Sequence, residues 1–118
     1  MTVFTSSVIK GKGRGTELGF PTFNLVIPAH FTAPEGIYAA DVIINGRQYR
    51  GALHWGPIPV FNEDEKSLEI FVLDYPDTDA PRTIRFELKT YLRPIKNFDS
   101  PAALTAQIKK DIIHIRRL

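Results

Sequence analysis

The feature that most constrains the fold of this chain is the alternation of apolar and polar residues from Arg82 to Leu92. The residues expected on one face are Ile84, Phe86, Leu88 and Leu92, and those expected on the other are Arg85, Glu87 and Lys89. A period of two is typical of a β strand with one buried and one solvated face. The segment therefore predicts a strand that covers a core on one side only.

Strand patterns also dominate the rest of the chain. Asn45-Gly46 separates Gly36–Ile44 from Arg47–Leu53, which is a two-residue hairpin signal. Including Arg82–Leu92, we expect about six short strands, which can remove their exposed edges by closing into an antiparallel barrel. The other predicted strands are Phe4–Lys10, Phe23–Ile27, Gly36–Ile44, Arg47–Leu53 and Leu68–Tyr75.

The last segment changes to a helical period. Ser100 is a suitable N-cap and Pro101 a suitable first helical residue. Apolar residues then recur at helical spacing, and Arg116 and Arg117 suit the carboxyl end of the helix dipole. The apolar stripe is Leu104, Ile108, Ile112 and Ile115. The predicted fold is all-β, a six-stranded antiparallel barrel with one C-terminal α-helix.

Length and composition limit the possible classes of protein. With 118 residues we expect a single domain spanning 1–118, and the absence of cysteine excludes disulfide and thiolate chemistry. No apolar run is long enough for a membrane span, and the first residues lack the pattern of a signal peptide. A net charge of +2 is far below that expected for a nucleic-acid domain. We expect a cytoplasmic monomer without membrane or nucleic-acid partners.

A glycine-rich stretch near the amino terminus is the first candidate for chemistry. Gly11, Gly13 and Gly15 alternate with Lys12 and Arg14. Glycines allow backbone amides to approach an anion closely, and the two cations could neutralise phosphate. Turn geometry with solvated cations is the more common explanation of such a pattern, so this stretch alone leaves both interpretations open.

Two further polar positions belong to the same hypothesis. Thr22 and Asn24 lie two residues apart and would share one face of an extended segment, where they could hold a metal–phosphate group. Glu69 begins an otherwise apolar strand and shares its face with Phe71 and Leu73. Partial desolvation would make this carboxylate a better proton acceptor, although a solvated strand-edge glutamate is more common.

The remaining residues of chemical interest have simpler explanations. His30, His54 and His114 lack metal-ligand spacing, and we interpret each as a structural histidine. Trp55 is interpreted as a packing residue.

Taken in order, four segments resemble the riboflavin kinase family over nearly the whole chain. The first two are VIKGKGRGTELGFPTFNL and PEGIYAADV, and the last two are SLEIFVLDY and YLRPIKNFDSPAALTAQIKKDI. The resemblance implies a Greek-key barrel that transfers the γ-phosphoryl group of ATP to the 5′-hydroxyl of riboflavin, giving FMN and ADP. It also implies Mg²⁺ as the metal.

The resemblance assigns roles to the candidate residues. Thr22 and Asn24 match residues that hold Mg²⁺ and nucleotide phosphates, and Glu69 matches the catalytic general base. Arg93 matches an arginine near flavin and phosphate. The loop over the nucleotide phosphates matches Gly11, Lys12, Gly13, Arg14 and Gly15.

Three departures from the family pattern affect the expected pocket. Phe23 replaces a small residue between Thr22 and Asn24, and the segments Gly56–Phe61 and Asp77–Pro81 differ from the usual family sequence. Nothing in the sequence resembles the adenylyltransferase domain of bacterial relatives, so we expect no FAD synthesis from these residues. Two alternatives remain, a catalytically silent flavin- or nucleotide-binding module and a small oligonucleotide-binding barrel.

Overall fold

The fold is described by a computed structural model that covers residues 2–9, 22–57, 66–76 and 80–118. These residues form six β strands followed by one helix. The strands are β1 (Val3–Ile9), β2 (Phe23–Leu25), β3 (Gly36–Ile44), β4 (Arg47–Gly56), β5 (Ser67–Val72) and β6 (Thr83–Arg93). The helix α1 spans Pro101–Arg116.

The six strands close into a barrel in the order β1-β2-β5-β4-β3-β6, with every neighbouring pair antiparallel. Strands β3, β4 and β5 follow one another as neighbours, and β6 returns to lie beside β3. This arrangement is a Greek key. The predicted barrel, its strand number and its Greek-key connection are confirmed.

Local sequence signals account for the strand ends. Asn45 and Gly46 both have positive φ, 50° and 80°, as the type I′ hairpin turn between β3 and β4 requires. Strand β5 ends at Val72, three residues before the predicted end, because the chain turns at Leu73-Asp74 with Asp74 at φ 60°. Strand β4 continues three residues beyond the predicted end at Leu53, and its last residues become important below.

The barrel interior holds the main hydrophobic core. Its fully buried members include Val42, Leu53, Ile70, Ile84 and Phe86. Trp55 belongs to this core and its indole N–H donates to the carbonyl of Ala33 at 3.0 Å, which confirms its interpretation as a packing residue.

A second cluster, the helix-side cluster, lies between the outer barrel wall and α1. Its members are Ala39, Leu73 and Ile115, with Ala52, Phe71, Leu92 and Ile112 packed against them. Leu92 was expected on the same face as Ile84 and Phe86, and that prediction is wrong. The pairing of β6 with β3 shifts register twice, between Ala39 and Ala40 and between Ile37 and Tyr38. Each shift interrupts the alternation of faces along β6.

The helix begins as the sequence predicts. The Ser100 hydroxyl accepts a hydrogen bond from the Ala103 backbone N–H at 3.1 Å, and Pro101 follows in the first turn. At the other end, Arg50 on β4 donates to the carbonyl of Ile115 at 2.9 Å, and Arg116 forms two hydrogen bonds with Asp74. These contacts fix α1 on the outer wall. None of the described helical residues form a segment long and apolar enough to cross a membrane.

Candidate active site

A row of side chains on the outer barrel wall contains the predicted catalytic carboxylate. In the strand register, Asn24 on β2 is opposite Glu69 on β5, and Glu69 is opposite His54 on β4. His54 is in turn opposite Ile37 on β3, and Ile37 is opposite Arg93 on β6. Because directly opposed residues project to the same side of a sheet, these five residues form one line across the wall. We refer to Asn24, Glu69, His54, Ile37 and Arg93 as the outer row.

Glu69 is buried within this wall. Only 7% of the residue is exposed, although its strand neighbours Leu68 and Ile70 point the other way, into the core. On the outer face it is followed by Phe71, which packs against the helix-side cluster, so the expected apolar surface beside it is present. The commoner interpretation of Glu69 as a solvated strand-edge glutamate is therefore wrong.

Thr22 contacts Glu69 where β2 pairs with β5. The Thr22 hydroxyl donates to Oε1 of Glu69 at 3.1 Å, although the two residues are 47 positions apart in the chain. Asn24, two residues after Thr22, is the direct register partner of Glu69. A hydroxyl, an amide and a carboxylate thus converge at one place on the outer wall.

His54 is the residue of the outer row that sequence reasoning missed. Its Nε2 lies 2.9 Å from the carbonyl oxygen of Pro57, which can only accept, so Nε2 carries the proton. Burial lowers the pKa of His54, and the nearby Arg93 charge lowers it further. The Pro57 carbonyl and the Glu35 carboxylate act in the opposite direction. The ring is therefore neutral near pH 7, and its Nδ1 is a buried acceptor that has no hydrogen-bond partner among the described residues.

The signal that would have found His54 is strand parity. Had β4 been extended beyond Leu53, its alternation would have placed His54 on the outer face, opposite the face of Leu53 and Trp55. The strand was ended too early because Gly56-Pro57 follows closely, and these residues are typical of loops.

Arg93 closes the row at the edge of α1. Its Nη2 lies 2.8 Å from Oδ2 of Asp111, and its Nε donates to both carboxylate oxygens at 3.1 and 3.2 Å. Gln107 donates to the same carboxylate at 3.0 Å. The side chains of Arg93 and Asp111 are only 10% and 8% exposed. Arg93 is thus held by the helix, close enough to His54 to lower its pKa.

Some predicted residues lie outside this arrangement or outside the described residues. His30 and His114 are exposed and away from the outer row. The phosphate-loop candidates Gly11, Lys12, Gly13, Arg14 and Gly15 lie outside the described residues, as do 58–61 and 77–79 of the two divergent segments. Phe23, the first divergent residue, packs against the barrel core and the ring of Tyr75, so it points away from Thr22 and Asn24.

The fold and the buried carboxylate define a Greek-key barrel with a polar site on its outer wall. Comparison with known proteins gives the class a name, since residues 2–118 match the riboflavin kinase family. The chain belongs to that family.

Several relatives carry a similar domain within a longer chain. The chain is 35% identical over 113 residues to the RNA-binding riboflavin kinase RibR of Bacillus subtilis (strain 168), covering 95% of this chain and 49% of that protein. It is 32% identical over 108 residues to the bifunctional riboflavin kinase/FMN adenylyltransferase of the same organism, covering 88% and 34%. It is 33% identical over 111 residues to the bifunctional riboflavin kinase/FMN phosphatase of Arabidopsis thaliana, covering 88% and 29%.

A solved structure shares the fold. The crystal structure described as a macrolide-efflux protein from Streptococcus pneumoniae superposes with a TM-score of 0.85 and 27% sequence identity, covering 98% of this chain and 38% of that one. The chain thus spans about half or less of the proteins that it matches.

Proposed function

We propose that this chain transfers the γ-phosphoryl group of ATP to the 5′-hydroxyl of riboflavin, producing FMN and ADP. The observation that carries the proposal is the convergence of Thr22, Asn24 and Glu69 on the outer wall. Membership of the riboflavin kinase family supports the same reaction and the same two substrates.

In this proposal Glu69 is the general base. It takes the proton of the 5′-hydroxyl while that oxygen forms a bond to the γ-phosphorus and the bond to the departing ADP oxygen breaks. Phosphoryl transfer depends mainly on positioning and on stabilisation of charge, with one residue to accept the proton. Burial of Glu69 suits this role, because the wall excludes competing water and the Thr22 hydroxyl fixes the orientation of the carboxylate.

The oxygen donors beside Glu69 fit a magnesium ion. Mg²⁺ prefers oxygen ligands and retains several waters, so a few protein oxygens together with ATP phosphates suffice. The Thr22 hydroxyl donates its hydrogen bond to Glu69 and therefore keeps its oxygen lone pairs available, and Asn24 adds an amide oxygen. Within the described residues, no three histidine, aspartate or glutamate side chains form an alternative metal cluster. When bound, the cation would neutralise the charge of the phosphates.

Two further assignments belong to the proposal. The glycine-rich stretch, Gly11–Gly15, covers the nucleotide phosphates with its backbone amides and the charges of Lys12 and Arg14. Arg93 contributes positive charge at the opposite end of the outer row, on the substrate side, in an orientation that Asp111 fixes. We also propose that the chain acts as a monomer.

A direct assay tests the proposal. The purified chain is incubated with riboflavin, ATP and Mg²⁺, and both FMN and ADP are quantified by chromatography. FMN and ADP should form in equal amounts and only when all three components are present. Formation of FMN no faster than without protein, across Mg²⁺, Mn²⁺ and Zn²⁺, would reject the kinase. Tight riboflavin binding without ATP-dependent turnover would favour the silent binding module instead.

A further inference from the structure

His54 is placed where it can select the acceptor substrate. It stands directly beside Glu69 in the outer row, and directly opposed side chains have Cβ atoms about 4.5–5.5 Å apart. An acceptor whose hydroxyl reaches Glu69 would therefore lie next to His54. His54 as a whole is only partly buried, although its Nδ1 is covered.

The protonation state of His54 defines what it can recognise. The Pro57 carbonyl holds the proton on Nε2, and burial keeps the ring neutral, so Nδ1 offers one lone pair and no proton. Within the described part of the chain, Nδ1 has no hydrogen-bond partner. A buried acceptor without a donor is costly, and such groups in native proteins call for an explanation.

The neighbouring side chains in ranges 22–57, 66–76 and 80–118 do not supply the missing donor. Glu69, when ionised, can only accept, and Ile37 on the other side of His54 is apolar. Arg93 is turned toward Asp111 and the Pro94 carbonyl. Among the residues that the structure describes, two other buried polar atoms lack partners and lie outside the outer row, namely Ser6 Oγ on β1 and Glu87 Oε2 on β6.

We propose that Nδ1 of His54 accepts a hydrogen bond from a second hydroxyl of the acceptor, on the chain that carries the hydroxyl to be phosphorylated. This inference rests on the proposed function, in which the acceptor is riboflavin and the chain is its ribityl group. His54 is then a specificity-determining residue, because it favours an acceptor whose chain carries several hydroxyls over one with a single terminal hydroxyl. The contact requires a local adjustment that uncovers Nδ1 when the substrate binds.

The test compares two flavins on matched variants. The flavins are riboflavin and a flavin with a 5-hydroxypentyl chain, which keeps the terminal hydroxyl and lacks the other three. The variants are His54→Leu, which removes both ring nitrogens, and His54→Gln, whose amide can donate to Pro57 and still accept. His114→Leu is the matched control, since His114 is exposed on α1. Dissociation constants come from flavin fluorescence without ATP, and kcat/KM from FMN formation.

The wild-type protein and His114→Leu should prefer riboflavin over the hydroxypentyl flavin in both measurements. His54→Leu should reduce that preference by about fivefold to tenfold, as expected for one net hydrogen bond, while His54→Gln retains most of it. His54→Phe replaces the leucine variant if circular dichroism shows that the latter does not fold.

The outcomes separate the inference from the proposed function. An unchanged preference in folded His54→Leu or His54→Phe, with riboflavin still phosphorylated, would overturn the inference and leave the kinase intact. Selective binding that depends on His54, without phosphorylation, would support the inference as a binding role and reject the kinase. Failure of the wild-type protein to bind either flavin would overturn both.

Discussion

Nη2 of Arg93 lies 2.8 Å from Oδ2 of Asp111, and this ion pair joins the last residue of β6 to the middle of α1. The carboxylate also receives the Arg93 Nε and the Gln107 amide. The pair therefore fixes both the helix against the barrel and the end of the outer row. Removing one charge from such a pair leaves the other buried without its counter-charge.

Asp111→Ala should lower the free energy of unfolding by about 3–5 kcal/mol, the usual cost of breaking a buried ion pair on one side. Urea unfolding followed by circular dichroism gives the value. The control is Asp74→Asn, which removes the charge from the solvent-exposed pair with Arg116 and should leave the midpoint nearly unchanged. Asparagine, like aspartate, tolerates the positive φ of this position, whereas alanine would add backbone strain. Equal effects of the two substitutions would show that burial of the Arg93–Asp111 pair does not contribute to stability.

Glu69→Gln should reduce the rate of FMN formation at least about 100-fold, because a general base typically contributes a factor of 10²–10⁴. The amide can still accept from Thr22, so the fold and the binding of riboflavin should be retained. The rate is measured with saturating ATP and riboflavin. Glu87→Gln is the control, since Glu87 lies on β6 away from the outer row and interacts with Lys89. A glutamine variant that turns over at the wild-type rate would exclude Glu69 as the base.

Thr22→Val should lower kcat/KM by about 10–100-fold, the range seen when a group that orients a site is lost. Valine keeps the shape of threonine and removes the hydroxyl that donates to Glu69. The concentration of Mg²⁺ needed for half-maximal rate should rise in the same variant. Thr22→Ser keeps the hydroxyl and should retain most of the activity. A loss shared equally by both variants would point to packing of the methyl group instead.

Stability should depend on pH through His54. Burial lowers its pKa in the folded protein below the ordinary value of 6.5, so the unfolded chain binds a proton at a pH where the folded protein does not. The contribution of His54 is therefore fully present above pH 6.5 and is lost as pH falls from 6.5 toward the lowered folded value. The slope for one proton is at most about 1.4 kcal/mol per pH unit.

Urea unfolding of wild-type protein and His54→Leu at several pH values between about 5 and 7.5 measures the pH-dependent contribution of His54 to the free energy of unfolding. The wild-type protein should lose stability relative to His54→Leu as pH falls. His114→Leu serves as the control and should follow the wild-type curve, because its side chain is exposed. Parallel curves for wild-type protein and His54→Leu would mean that His54 can take up its proton in the folded state.

The elements that sequence reasoning predicted are those with local signals. The two-residue turn Asn45-Gly46, the Ser100 cap and the alternation through Phe86 are each determined by residues within a few positions of one another. Thr22 and Glu69 are different, since their contact depends on pairing β2 with β5 across 47 positions. The resemblance to a known family suggested that they meet, and the residue pattern alone favoured a solvated Glu69.

Leu92 and His54 show why other details of the structure were not predicted from the sequence. Leu92 lies after the first register shift in β6 and within the second, and nothing in its neighbours marks a position where a strand changes face. His54 lies beyond the predicted end of β4, and its unusual environment arises from Pro57, Glu69 and Arg93, which three different parts of the chain supply. Environments assembled from distant segments cannot be read from spacing.

The change of face along β6 also determines how the protein can be divided. One continuous strand contributes Phe86 to the barrel interior and Leu92 to the surface that α1 covers, so both hydrophobic clusters are built on the same strand. Cutting the chain before Ser100 would not release a free-standing barrel. It would expose the apolar residues of the helix-side cluster to water and remove Asp111, the counter-ion of Arg93.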